Sequence, residues 1–244
     1  MPTLPTSVAE SMQGLRLAAE QAARMLKARP ALLVLAGITW GIQLVSEYDT
    51  AFAFVTTLMK LVFSAAFFGV VAEIAAARGS GITWKLVGSS IRSLTIGTVV
   101  ITTAYTLPVL IGAPFLNLAL GSRLEGIRWS LVVLVGITVV PSIAAIWSLA
   151  YWRSSLVEAV LDGIQLMKGR WAVALAAGIA YQAAALAGQL LRMFLLASLG
   201  ISAGLALAGL IMLAWVLLEA VFRVTLLYWL FDDVPRPFEL ETAA

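Results

Sequence analysis

An ionisable side chain deep in a bilayer costs roughly 2.5–3.5 kcal/mol on insertion scales, so a charge inside a long apolar run needs a chemical reason. Lys60 is the clearest such charge in this chain. It stands nine residues into the apolar run 51–77, about 14 Å deep at 1.5 Å per residue. A cation there suits an anionic solute or a lipid headgroup. The structural alternative is an ammonium that snorkels outward or meets a backbone carbonyl. Glu73, Glu219 and Arg223 form a second set. Glu219 and Arg223 are helical neighbours at i, i+4. The rise per residue puts Glu73 and Arg223 at similar depths, each about 30 Å from the outer end of its run. One ion-pair cluster at the cytoplasmic edge is expected from the three, to orient helices or to couple protons.

Hydroxyls make a third set. Thr95, Thr98, Thr102 and Thr106 fall on one helical stripe just before Pro108, and Pro141 interrupts the run that follows. Proline removes a backbone hydrogen bond, and helices broken in this way mark many transporter sites. Threonine also bonds to its own helix backbone and packs between helices, which is the structural alternative here. Gln182 and Gln189, seven apart, read as interhelical glue. The chain has no cysteine and no histidine. Thiol and imidazole chemistry, disulfides, haem ligation and zinc sites built on either residue are therefore excluded. The thirteen acidic residues form no recognisable metal cluster, and no nucleotide-binding loop is present. The expectation is a protein that is not an enzyme, without catalytic or metal residues and without a cofactor.

The elements that must position these groups follow from composition. Of 244 residues, 61% are hydrophobic and 12% charged, about half the usual charged fraction. A membrane span needs about 20 apolar residues. Six runs are read as spans, at about 31–45, 51–77, 94–118, 127–152, 171–197 and 203–231. The expected fold is all-α and polytopic, with six transmembrane helices arranged as three hairpins. Each hairpin is expected to follow an amphipathic helix lying in the membrane plane.

The first in-plane helix occupies 1–30, where Ser7 and Glu10 fit a capping box and Val8, Met12, Leu15, Ala19, Ala22 and Leu26 form one face. The second occupies 82–93, with Trp84, Val87 and Ile91 on one face. The third occupies 154–168, where Leu156, Val160, Ile164 and Met167 recur at helical spacing opposite Glu158, Asp162 and Gln165. Residues 31–231 are read as a single membrane domain and 232–244 as a short acidic tail. The first thirty residues lack the apolar core of a cleavable signal peptide.

Basic residues outside the spans set the orientation. Eleven Lys and Arg lie on the side of the termini and two on the other, which places both termini in the cytoplasm of a bacterial-type cytoplasmic membrane. Net charge is only +3, and no nucleic-acid motif is present. The partners implied are the lipid bilayer and other membrane proteins or further copies of the chain.

A local repeat links two segments: Met25-Leu26-Lys27-Ala28-Arg29 precedes the first span, and Leu166-Met167-Lys168-Gly169-Arg170 precedes the fifth. At Arg153-Ser154-Ser155-Leu156 and Leu166-Met167-Lys168-Gly169-Arg170 the chain resembles the membrane domain attached to some glycerophosphodiester phosphodiesterases and its free-standing bacterial relatives. Ala75-Ala76-Ala77-Arg78-Gly79 leading into Ile82-Thr83-Trp84 adds to the likeness. The resemblance covers islands within about two-thirds of the chain and leaves out the phosphodiesterase domain. It implies a membrane module rather than that activity. The function expected is a scaffold or accessory subunit of a membrane assembly. The alternative is a permease-type transport component served by a separate ATPase. A water-filled path reaching Lys60 and the Thr95–Thr106 stripe would favour transport; a closed bundle would favour the scaffold.

Overall fold

The computed structural model describes residues 7–42, 53–76, 82–120, 124–199, 201–231 and 233–234. Hydrocarbon offers backbone groups no partner outside their own segment, so apolar runs of this length fold as helices. Among the described residues every regular element is helical: α1 (Val8–Ala28), α2 (Ala31–Gly41), α3 (Ala53–Ala75), α4 (Trp84–Leu120), α5 (Leu124–Trp147), a π-helical turn (Ser148–Trp152), α6 (Leu156–Gln165), α7 (Trp171–Ser198) and α8 (Ile201–Leu230). Five stretches are long and apolar enough to cross a membrane: Val55–Ala75, Trp84–Gly112, Val133–Trp152, Trp171–Leu195 and Ala206–Leu230. The run 31–45 is represented by the 11 residues of α2, and its far end lies outside the described residues. So does the tail 232–244, apart from 233–234.

The helices close on themselves. α2 packs on α3, α3 on α4, α4 on α5, α5 on α7, α7 on α8, and α8 back on α2. Side-chain volume sets most of these distances, and glycine shortens at least two of them, since a Cβ on Gly69 of α3 would lie 2.5 Å from the Ser90 side chain of α4. A Cβ on Gly178 of α7 would fall on the Gly136 carbonyl of α5, and one on Gly136 would lie 2.8 Å from the Ile179 Cα. Further contacts from α5 to α8 and from α3 to α5 cross the ring. An aromatic chain fills that crossing: Trp40, Phe67, Phe68 and Trp147 meet edge to face at centroid separations of 5.0, 6.1 and 4.4 Å.

Three expectations change. No break separates an in-plane segment at 82–93 from the span after it, because α4 runs unbroken from Trp84 to Leu120. Thr83 Oγ1 accepts the Leu86 N–H at the start, and the hydroxyls of Ser89, Ser93 and Thr95 donate to carbonyls three or four residues back. Hydroxyls used in this way leave the helix intact. Pro108, Pro114 and Pro141 likewise stand inside helices rather than between them. Finally, α1 turns its buried face (Ser11, Ala18, Ala22, Met25 and Leu26) to the protein, chiefly to α8, and leaves Val8 and Met12 exposed.

α6 carries the expected apolar periodicity but packs through its smallest side chains. Ala159 and Gly163 are buried, while Val157, Leu161 and Ile164 stay outward. A Cβ on Gly163 would lie 2.5 Å from both the Pro141 carbonyl oxygen and the Tyr105 hydroxyl. The helix begins on a complete capping box, in which Ser155 Oγ accepts the Glu158 N–H and the Glu158 carboxylate accepts the Ser155 N–H. Asp162 ties α6 back to the π turn by accepting from the Ser148 hydroxyl.

Candidate functional site

Each of five ring helices turns one face inward, and these faces carry most of the polar residues of the apolar runs. On α3 the inward positions are Thr57, Lys60, Leu61, Ser64 and Phe68; on α4 they are Thr98, Thr102, Tyr105 and Thr106. α5 contributes Thr138, Val139, Ser142 and Ile143, α7 contributes Tyr181, Gln182, Gln189 and Arg192, and α8 contributes Met212, Trp215, Glu219 and Arg223. The spacing on every helix is three or four residues, one face of a 3.6-residue helix. Together they enclose a cavity of about 590 Å³, within the 300–1,000 Å³ range typical of small-molecule sites.

One end of the cavity is closed by Arg223. Its guanidinium pairs with Glu219 at 2.8 Å, with side-chain exposures of 14% and 4%, far drier than a surface salt bridge. The same group lies over the rings of Trp40 and Phe68, at 5.0 and 5.6 Å from their centroids. Trp147 Nε1 donates to the Arg223 carbonyl at 2.9 Å. Tyr181 stacks on Phe222 with centroids 4.3 Å apart, walling the neighbouring side. Charge, cation–π contact and hydrogen bond thus join α2, α3, α5 and α8 at one floor.

The expected ion-pair trio divides. Glu219 and Arg223 pair as i, i+4 neighbours, whereas Glu73 bonds Arg153 at 2.9 Å, with Arg153 67% exposed. Equal depth did not bring Glu73 to the cavity wall, because depth says nothing of which way a helix face turns. Arg153 reaches Glu73 from a left-handed backbone conformation (φ 58°) that ends the π turn.

The threonine stripe divides too. Thr98, Thr102 and Thr106 line the cavity, while Thr95 Oγ1 donates to the Ile91 carbonyl at 2.6 Å. Thr106 Oγ1 also bonds within its own helix, to the Thr102 carbonyl at 2.6 Å. Thr98 Oγ1 is buried with no hydrogen-bond partner among the described residues. Pro108 and Pro141 lie off the wall. Pro141 instead stands where α6 crosses α5 beside Gly163.

Gln182 and Gln189, read as interhelical glue, are cavity residues. Arg192 is the residue that sequence reasoning passes over, although like Lys60 it is an ionisable group inside an apolar run. Its Nη1 lies 3.5 Å from the Met212 sulfur. Tyr105 carries no charge to draw notice, yet it links the cavity to the outside of the ring by donating to the Val160 carbonyl of α6 at 2.8 Å. Among the described residues no group of three or more acidic side chains could hold a metal.

Five helices long and apolar enough to cross a membrane, around a polar interior, are those of a multi-pass helical membrane protein with a cavity between its helices. No family model, curated protein or solved structure matches the chain.

Proposed function

We propose that the protein is a permease-type transport component that binds a polar solute inside its helix ring, in preference to the scaffold expected from sequence. One observation carries this reading: the cavity gathers Lys60, Arg192, three threonines of α4 and both glutamines of α7 on inward faces. A scaffold has no use for that arrangement. Polar side chains from several helices that face one shared cavity, rather than only a neighbouring helix, are placed to meet a solute. The outer surface supports the same reading. Ile96, Leu110, Phe115, Phe194 and Leu213 are exposed and suit acyl chains. In this reading the chain lies in a cytoplasmic membrane with its termini in the cytoplasm, and the driving force comes from a partner such as an ATPase. The likeness to the phosphodiesterase-associated membrane domain is compatible with such a module.

The chain lacks cysteine, so single cysteines report directly. Thr102→Cys, Ser142→Cys and Gln182→Cys should react with a membrane-impermeant neutral thiol reagent far faster than Ile96→Cys, Leu110→Cys or Leu213→Cys on the lipid side. Equal, slow labelling at all six positions would mean a dry interior, and the scaffold reading would replace this one.

A further inference from the structure

α6 lies beside the interior of two membrane-length stretches, not across their ends. Its first residue, Leu156, meets α4 at Gly97, where a Cβ would lie 3.2 Å from Leu156 Cδ2 and would also fall on the Leu149 side chain. Four residues on, the Val160 carbonyl accepts the Tyr105 hydroxyl at 2.8 Å. Three further on, Gly163 meets that hydroxyl, the Pro141 carbonyl and the Ala145 methyl. As α6 advances it therefore climbs α4 from Gly97 toward Tyr105, and climbs back past the π turn and α5 from Leu149 to Pro141. Those positions fall within Trp84–Gly112 and Val133–Trp152. Pro141 stands eleven residues before Trp152, about 16 Å from the end of its stretch and about half the depth of a hydrocarbon core.

The segment leaves and returns at one edge. Trp152 packs on Phe231, just past the end of α8, with centroids 4.6 Å apart, and its Nε1 donates to the Asp233 carboxylate. The capping box of α6 opens three residues later, at Ser155. Beyond α6 the chain turns at Gly169 (φ 77°), and Arg170 Nη1 donates to the Trp229 carbonyl, again at the end of α8. A helix end inside hydrocarbon must close its carbonyls without water. Here the carbonyls of Asp162, Ile164 and Gln165 accept the N–H groups of Leu166, Met167 and Lys168.

We infer that α6 is a re-entrant helix. It enters the bilayer beside Trp152, rises along α4 and α5 into the hydrocarbon, and returns to the same edge at Arg170. Its outer residues Val157, Leu161 and Ile164, 72, 50 and 48% exposed, meet lipid acyl chains, continuing the lipid-facing surface of the spans on which it packs. This position replaces the in-plane one expected from its periodicity, and it is independent of what the cavity binds. Polar groups along the path are answered locally. Asp162 faces the protein and accepts from the Ser148 hydroxyl. Glu158 lies in the first turn, reaching back to the Ser155 N–H, and Lys168 lies two residues from the returning edge, on a stem long enough to snorkel.

The test places single nitroxide-labelled cysteines at Val157, Leu161 and Ile164 in the full chain, reconstituted into phosphatidylcholine vesicles. These side chains stand outward, so a label leaves the packing of α6 intact. Collision with oxygen, which concentrates in hydrocarbon, is compared with collision with a water-soluble nickel chelate. Ile96→Cys and Leu107→Cys, exposed on α4 and about 16 Å apart along it, calibrate depth. Oxygen should dominate at all three α6 positions, and Ile164 should lie about 5–10 Å deeper than Val157, since seven residues rise about 10 Å along a helix that follows its neighbours. Equal depth at the three positions would mean an in-plane helix and overturn the inference. So would dominance of the nickel chelate, which would put this face in water. Low collision rates with both probes would also overturn it, because another protein surface would then cover the face in place of lipid.

Discussion

The floor of the cavity offers the sharpest test of how the ring is held. Glu219 and Arg223 meet at 2.8 Å with 4% and 14% of their side chains exposed. Removing one partner leaves the other as an uncompensated buried charge, at about 3–5 kcal/mol. Glu219→Leu strands the guanidinium; Arg223→Met strands the carboxylate and also loses the cation–π contacts with Trp40 and Phe68. The double variant strands no charge and leaves only the buried Tyr181 hydroxyl, which adjoins both side chains, without them. Replacing a buried pair by apolar residues of similar volume is often neutral or stabilising, so the double variant should lie within about 2 kcal/mol of the parent after the cation–π loss. At roughly 2–4 °C per kcal/mol for a chain of this size, each single variant should melt about 6–20 °C lower and the double close to the parent. Tryptophan fluorescence during thermal unfolding in mild detergent would follow this, since Trp40 and Trp147 flank the pair. Additive losses in the double variant would show that the two charges are solvated separately, and the account of a dry floor would be wrong.

Three smaller predictions probe the surrounding structure. Gly178→Ala should lower stability by about 1–3 kcal/mol, as overpacking does, because its methyl falls on the Gly136 carbonyl; Gly188→Ala, whose nearest neighbour would be Ile211 at 4.0 Å, is the matched control in the same melt. Tyr105→Phe should cost about 1 kcal/mol for the lost hydrogen bond to Val160 and should speed amide exchange in α6 more than in α5. Ser155→Ala should remove about 1 kcal/mol of helix capping, read by exchange at the first turn of α6. The pH dependence of that cap has a defined sign. Bonds from the Ser155 N–H and hydroxyl hold the Glu158 carboxyl below the usual glutamate range. A depressed folded value means the contribution is complete above the ordinary value and fades as pH falls through the lowered one. Acidification should therefore lower the protection factors, that is exchange corrected for its intrinsic rate, at Ser155 and Glu158, and Glu158→Gln, which has no titrating carboxyl, should abolish that response.

The sequence was most informative where a physical penalty had to be answered. Lys60 and the threonines of α4 stand out because polar groups in an apolar run are expensive, and the structure brings Lys60, Thr98, Thr102 and Thr106 to one cavity. The pairing of Glu219 with Arg223 was legible for a different reason, since positions four apart on a helix must be neighbours. Glu73 was misplaced because axial rise fixes depth while the facing direction depends on packing with other helices. The amphipathic pattern at 82–93 was real, but periodicity alone cannot tell an in-plane helix from the first turns of a longer one. Nothing at Ser93 or Leu94 stops α4. Proline was over-read: a neighbouring helix that packs closely, as α6 does on α5 through Gly163, lets Pro141 remain inside a helix. Arg192 was within reach of the argument used for Lys60.

Arg223 makes its contacts with four helices at a single point. It touches Trp40 of α2 and Phe68 of α3, its backbone takes a hydrogen bond from Trp147 of α5, and its charge is matched by Glu219 of α8. Close-packed junctions of this kind do not deform by degrees. A small rotation of α8 would break the ring contacts and the tryptophan bond together, while the Glu219 pair would travel with the helix as one neutral unit. The floor therefore has the mechanics of a latch, either seated or released. Because the pair carries no net charge, releasing it moves almost no charge along with the helix.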